Sequence, residues 1–298
     1  MERQDGPDWG QFHVYRWRGH RLHWRRLGDP TAPALLLIHG FGASSGHWRR
    51  NAAAFAAAGW CVYGLDLLGF GASDQPALRQ DNRLWALQVQ DFLSQVVRGQ
   101  AVLMGNSLGG LVAITAAVLA PEQVRAVVAA PLPDPALIRA PAQRLGPWRR
   151  RCRRLGAGLL PLPLVRLLLH LGARWPLLDL CLAAAYCDRR ACDPALRRLI
   201  ATPARRGAAA AALRGMTLGM ASRPWCATAP ALLPRVSVPC LLIWGLDDRL
   251  VPVAVLSRIR PLLPAAAVVL LPGVGHCVHD ERPDCFNQRV MAWLSQLA

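Results

Sequence analysis

At 298 residues and 53% hydrophobic content, the chain is long enough to bury a large core as one domain plus an insertion. Its net charge of +17 rests on arginine alone, since all 35 basic residues are Arg. Such charge attracts any polyanion, but no nucleic-acid reader motif accompanies it and few aromatics interleave with it, which argues against nucleic acid as a partner.

The N-terminus, MERQDGPDW, is polar and lacks the apolar run of a secretory signal. Phe12 to Arg26 reads as an antiparallel hairpin at a sheet edge, with His13, His20 and His23 expected at the surface. Short apolar runs then alternate with helical stretches, the pattern of a mostly parallel sheet covered on both faces. Strands are predicted over Ala34 to Ile38, Trp60 to Asp66, Ala101 to Met104, Val124 to Ala130, Pro239 to Trp244 and Ala267 to Leu271. Helices are predicted over Ser45 to Ala58, Asn82 to Val97, Leu108 to Ala120, Val253 to Leu263 and Asp284 to Leu297. The segment between the sixth strand and Pro239 has the place and composition of a helical cap, giving a core of residues 1–131, a basic cap of 132–231 and a returning core of 232–298.

Gly105-Asn106-Ser107-Leu108-Gly109 sits between a strand-like run and a helix-like run. Glycines at both ends permit a sharp turn that lifts a serine hydroxyl above the sheet, while the following helix aims its N-terminus at a developing oxyanion. Ser107 is therefore the candidate nucleophile. A base and its orienting acid should follow in the order Ser, Asp, His. The turn Gly245 to Pro252 carries Asp247 and Asp248, and Gly273-Val274-Gly275-His276 follows the last strand. His276 is the candidate base, with Gly275 leaving room beside it; His279 is the local rival, expected as a surface or helix-entry residue, and His39 belongs to another loop. Asp248 is the candidate acid. Asp247 would serve if the turn shifted by one residue; Asp134, just after the strand Val124 to Ala130, is a further rival, but Pro133 and Pro135 on either side mark it as a plain turn into the next segment. The oxyanion needs fixed backbone donors: Leu108 supplies one N–H, and Phe41, in the glycine-rich loop His39 to Ser44, supplies the other.

These residues resemble the α/β-hydrolase fold superfamily. HGFGAS, DLLGFGASDQP at 66–76, GNSLGG at 105–110, WGLDDRLVP at 244–252 and GHCVHDERP at 275–283 follow one another in that family's order. The chain is most similar there to pheophytinase and the related chlorophyll dephytylases, on HGFGAS with HWRRN behind it (His47 to Asn51) and on GHC-x-x-DE-x-P from Gly275 to Pro283. The resemblance aligns Asp248 with the family's acid and implies hydrolysis of the phytyl ester of a chlorophyll-type tetrapyrrole, with no metal and no organic cofactor. Motifs shared with C–C bond hydrolases leave a C–C bond hydrolase or a cofactor-free perhydrolase as alternatives, and a non-catalytic pigment binder as a third. Haloalkane dehalogenases and epoxide hydrolases use Asp where this chain has Ser107.

The charge is concentrated in the cap. From Arg139 to Arg223 there are 17 arginines against three acids, Asp179, Asp188 and Asp193, a net +14, which leaves the rest of the chain at +3. Leu155 to Leu182 is rich in Leu, Pro and Ala, with Trp148-Arg149-Arg150-Arg151 upstream. Basic heads beside leucine faces suit a segment lying on anionic lipid, although codon bias would produce the same composition. Nine cysteines, at 61, 152, 181, 187, 192, 226, 240, 277 and 285, show no C-x-x-C or zinc spacing. They read as reduced thiols of a cytoplasmic protein, peripheral at most on a photosynthetic membrane. The oligomeric state is not legible.

Overall fold

The computed structural model describes residues 9–138, 161–174 and 176–297. Eight strands form one sheet in the order β1-β2-β4-β3-β5-β6-β7-β8. β1 (Gln11–Trp17) and β2 (His20–Leu27) form the edge hairpin, and β2 pairs antiparallel with β4 (Cys61–Leu65). β3 (Ala34–Ile38), β5 (Ala101–Asn106), β6 (Val124–Ala130), β7 (Cys240–Gly245) and β8 (Ala267–Leu271) join β4 in parallel. This is the α/β-hydrolase fold, with every predicted strand in place.

The strand alternation explains why the apolar runs are unbroken. Leu36, Ile38 and Leu103 face one side, where Trp85, Val89, Leu111 and Ile114 of the helices Asn82–Phe92 and Leu108–Leu119 cover them. Leu35, Leu37, Val102 and Met104 face the other, under Phe55, Phe286 and Val290 of the helices Ala52–Ala57 and Pro283–Leu294. With period-2 side chains and both faces dry, every position has to be apolar.

Three helices differ from expectation. The stretch Val253 to Leu263 is only a 3-10 turn, Val253–Val255, and one helical turn, Leu256–Ile259, which ends ahead of Pro261. The stretch Ser45 to Ala58 is a short 3-10 turn, Ser45–Trp48, then a break before the helix Ala52–Ala57. The break occurs where Arg49 and Arg50 pair with Asp193 and Asp280 and where the Asn51 amide donates to the His279 carbonyl and to Asn287. Asn82 to Val97 is α-helical to Phe92 and then widens into a π turn, Leu93–Val97, closed by Arg98 at φ 58°.

Between β6 and β7 the chain forms the helices Pro135–Ile138, Leu162–Gly172, Leu177–Ala185, Pro194–Ala204 and Ala209–Ser222. Leu178, Leu182, Tyr186 and Leu196 make a small core there, which reaches Cys277 of the main body. The run Trp148 to Arg151, Cys152 and the start of the Leu155 to Leu182 stretch lie outside the described residues, as do the first eight residues. Among the described residues no single helix is long and apolar enough to cross a membrane.

Candidate active site

Ser107 occupies the turn between β5 and the helix Leu108–Leu119 with φ 53° and ψ −118°. L-residues avoid this region because Cβ crowds the backbone, at a cost of about 1–3 kcal/mol. The close approach depends on the flanking glycines. A Cβ at Gly105 would meet the Gly109 backbone, and one at Gly109 would meet the Ile38 carbonyl. Ser107 N–H donates to the Ala130 carbonyl at 3.2 Å, and the Asn106 amide donates to the same oxygen at 2.6 Å, which fixes the turn against the end of β6.

His276 follows β8 on its loop, 6% exposed, with Nδ1 2.9 Å from Asp248 Oδ2. The other oxygen of Asp248 accepts the N–H groups of Leu250 and Val251, each at 2.8 Å, so the carboxylate is held in one orientation. Asp247 is exposed and its carboxylate accepts from Gly273 N–H, away from the imidazole. Asp134 is wholly buried and occupied elsewhere, receiving Arg223, Ala136 N–H and Ala229 N–H. Of the three carboxylates, Asp248 is the one that meets His276.

Ser107 and His276 line one cavity of about 760 Å³. No hydrogen bond joins the Ser107 hydroxyl to the imidazole among the described residues. Phe41, on the loop after β3, lines the same cavity, its ring edge-on to Phe70 at 5.5 Å. Leu108 opens its helix directly after Ser107, where the first N–H groups have no acceptor within the helix. Gly40 keeps this loop close to the turn, since a Cβ there would stand 2.7 Å from Asn106 Oδ1. Apart from Arg214, Thr217 and these polar groups, the walls are mostly leucine and alanine from the inserted helices.

The other histidines lie away from the Ser107 turn or are held neutral by burial; His170 is exposed in the last turn of the helix Leu162–Gly172. His39 is buried, with Nδ1 on the Gly40 carbonyl and Nε2 accepting from Leu67 N–H, and burial pushes its pKa down. His279 stands in the short helix Val278–Glu281, as a helix-entry residue would, but is buried rather than at the surface, between Trp48 and His47, and burial holds it far below the usual imidazole range. His13, His20 and His23 are partly buried rather than fully at the surface. Cys277 lies on the cavity wall, but burial pushes its thiol up, so it stays protonated and is a poor nucleophile.

The groups that brace this site carry no signal of that role in the sequence. Asp66 accepts from Ser45 N–H at 2.6 Å and Ala72 N–H at 2.8 Å, pinning the loop beyond β4 to the segment after Phe41. Glu281 accepts from Cys187 and Asp188 N–H with one oxygen and from Gly275 N–H with the other, and His276 N–H donates to the Ala185 carbonyl. The histidine loop is thereby fastened to the inserted helices. Nearby, the Tyr186 hydroxyl donates to Asp280 at 3.0 Å and sits 2.8 Å from His47 Nε2, while Arg49 closes on Asp280 from the other side. The motifs HWRRN and GHC-x-x-DE-x-P contain most of these residues. Nothing in their spacing says that the two meet through Asp280.

The sequence profile of the alpha/beta hydrolase family matches residues 35–287. Epoxide hydrolase 3 of Xenopus tropicalis is 25% identical over 286 residues, covering 93% of this chain and 76% of that protein. The 2-hydroxy-6-oxo-6-(2'-aminophenyl)hexa-2,4-dienoic acid hydrolase of Metapseudomonas resinovorans is 27% identical over 287 residues, covering 92% and 88%. Shorter matches to epoxide hydrolases of Mus musculus, Homo sapiens and Sus scrofa span only 20% to 37% of those proteins. Among solved structures, a bacterial membrane phospholipase A superposes with a TM-score of 0.75 at 27% identity, covering 96% of this chain and 86% of that one.

Proposed function

The chain belongs to the alpha/beta hydrolase family, and from that premise we propose that it is a serine hydrolase cleaving a carboxylic ester of a hydrophobic substrate. The observation that carries this is Ser107 on a strained turn, sharing one cavity with an imidazole whose Nδ1 is held by a buried carboxylate. In this reading His276 Nε2 takes the proton of Ser107 as Oγ attacks the ester carbonyl. The N–H groups of Phe41 and Leu108 receive the oxyanion, and Asp248 stabilises the imidazolium. His276 then protonates the departing alcohol, and water releases the acyl group by the same steps reversed. The resting hydroxyl has to swing onto Nε2 when substrate fills the cavity, a tightening expected on passing from free enzyme to the Michaelis complex.

The serine also separates this chain from the chemistry named in its epoxide hydrolase relatives. A carboxylate that opens an epoxide forms an ester, which water can cleave. A serine would form an ether, which it cannot. The apolar walls favour a long hydrocarbon chain over a small polar ester. Within that class we propose the phytyl ester of a chlorophyll-type tetrapyrrole, on the strength of the HGFGAS and GHC-x-x-DE-x-P motifs; none of the relatives named above is a chlorophyll dephytylase. A C–C bond hydrolase is the second reading, favoured by near full-length similarity to the dienoic acid hydrolase.

Ser107→Ala is expected to lower turnover of a chromogenic ester by at least about 10³-fold with the thermal melt retained. Activity surviving in that variant removes the assignment. Pheophytin, a phospholipid and a vinylogous diketone assayed side by side separate the substrate classes.

A further inference from the structure

The helix Leu162–Gly172 is apolar on two sides. Val165, Leu169 and Gly172 line the cavity. Leu164, Leu167, Leu168 and Leu171, spaced i, i+3, i+4, i+7, form a separate stripe that is 40–53% exposed. The next helix, Leu177–Ala185, adds Leu177 at 50% and Leu180 at 72%. A water-soluble helix normally turns charge outward, and a concentration of exposed leucine marks a surface that is covered in use. Leu168 belongs to both sides, exposed by 53% and also part of the cavity wall, so the apolar exterior is continuous with the apolar interior.

Charge indicates what covers this face. Arg166 and Arg174 are exposed on the same two-helix unit, and from Pro161 to Arg223 the chain carries ten arginines against three acids. A second copy would bring the same positive charge to the contact and repel it. An anionic bilayer satisfies both features at once, with leucines entering the acyl boundary and arginines meeting the headgroups. Neither helix is long enough to span alone, and although the pair together is, it is bent by 75° at the break; with Arg166 and Arg174 exposed on it, the unit suits the interfacial plane better than the bilayer core.

We propose that the leucine face of Leu162–Gly172 and Leu177–Ala185 docks on anionic membrane, and that a lipid-like ester leaves the bilayer past Leu168 to reach Ser107. The docking rests on the ester-hydrolase reading only for what is delivered, and the two are separable by experiment. The full chain is floated with phosphatidylcholine vesicles, with and without phosphatidylglycerol, at moderate salt. Turnover of a soluble short-chain ester is measured in parallel. The test variant is Leu167→Asp/Leu180→Asp, whose positions lie outside the cavity wall. Wild type should float with the anionic vesicles, and the variant should lose binding by at least about tenfold while its soluble turnover stays within about twofold. Failure of wild type to float, with soluble turnover intact, overturns the docking and leaves the site reading standing. Flotation without ester turnover does the reverse. Equal flotation of the variant reduces the effect to arginine attraction and overturns the leucine face, as does a wild-type dimer that the variant dissociates without any vesicle binding.

Discussion

Ser107 makes a stability cost visible at a single residue. Its φ of 53° and ψ of −118° are a conformation that glycine tolerates and a Cβ-bearing residue does not. Ser107→Ala keeps the strain and Ser107→Gly relieves it, at the expense of about 0.5–1 kcal/mol in extra chain entropy. The glycine variant should therefore unfold about 1 kcal/mol harder than the alanine variant in urea, although both are inactive. A glycine variant no more stable than alanine would mean that the turn stores no strain. The elbow was legible in sequence because local chemistry dictates it: glycines at 105 and 109 are what the turn requires. His276 and Asp248 were legible by loop order and by the alignment of the acid. His279 was not, because what buries it, Trp48 and Phe286, comes from segments whose packing no local pattern encodes.

Among the elements, the inserted helices are closed at their base by one carboxylate. Asp134 leaves the end of β6 and accepts Arg223 at 2.6 Å, just beyond the helix Ala209–Ser222, together with Ala229 N–H at 2.7 Å. Both side chains of the ion pair are nearly inaccessible, at 6% and 0%. Removing one partner of such a pair strands the other, so Asp134→Ala should destabilise by about 3–5 kcal/mol, and Asp134→Ala/Arg223→Met should recover a good part of it. Urea unfolding of the two variants checks this, and limited proteolysis should show earlier cleavage within 135–222 for the single variant. A double variant as unstable as the single one would place the cost in the lost backbone bonds at Ala136 and Ala229 instead. Pro133 and Pro135 had marked Asp134 as a turn residue, but its role as a staple depends on Arg223, distant in sequence. The inner strands β3 to β7 were legible because burial on both faces writes itself as a nearly unbroken apolar run, whereas the edge hairpin β1–β2 keeps polar residues among its apolar ones. The helix break at Arg49 to Asn51 was not, because long-range ion pairs and amide bonds override a helical pattern there.

Across the whole molecule, two separate effects make acid destabilising, and salt distinguishes them. The chain carries +17 at neutral pH, and every imidazole that protonates adds to a repulsion that salt screens. The buried histidines act differently. Burial lowers His47 to about 4, against the opposing pull of Asp280, and it lowers His39 and His279 as well. In the unfolded chain these imidazoles take a proton near their ordinary value of about 6.5, while in the fold they stay neutral. The unfolded state therefore binds more protons below that pH, so their contribution is complete above about 6.5 and is lost as the pH falls toward 4, by up to about 1.4 kcal/mol per pH unit for each histidine. Unfolding midpoints should fall between pH 7 and pH 5 at low salt, and most of the fall should persist at high salt, since screening does not reach a desolvated ring. A decline that vanishes with salt would assign the whole effect to surface arginine. A flat profile would mean that His39, His47 and His279 take up protons inside the fold, which the buried contacts of His279 with Trp48 and His47 leave no room to hydrate.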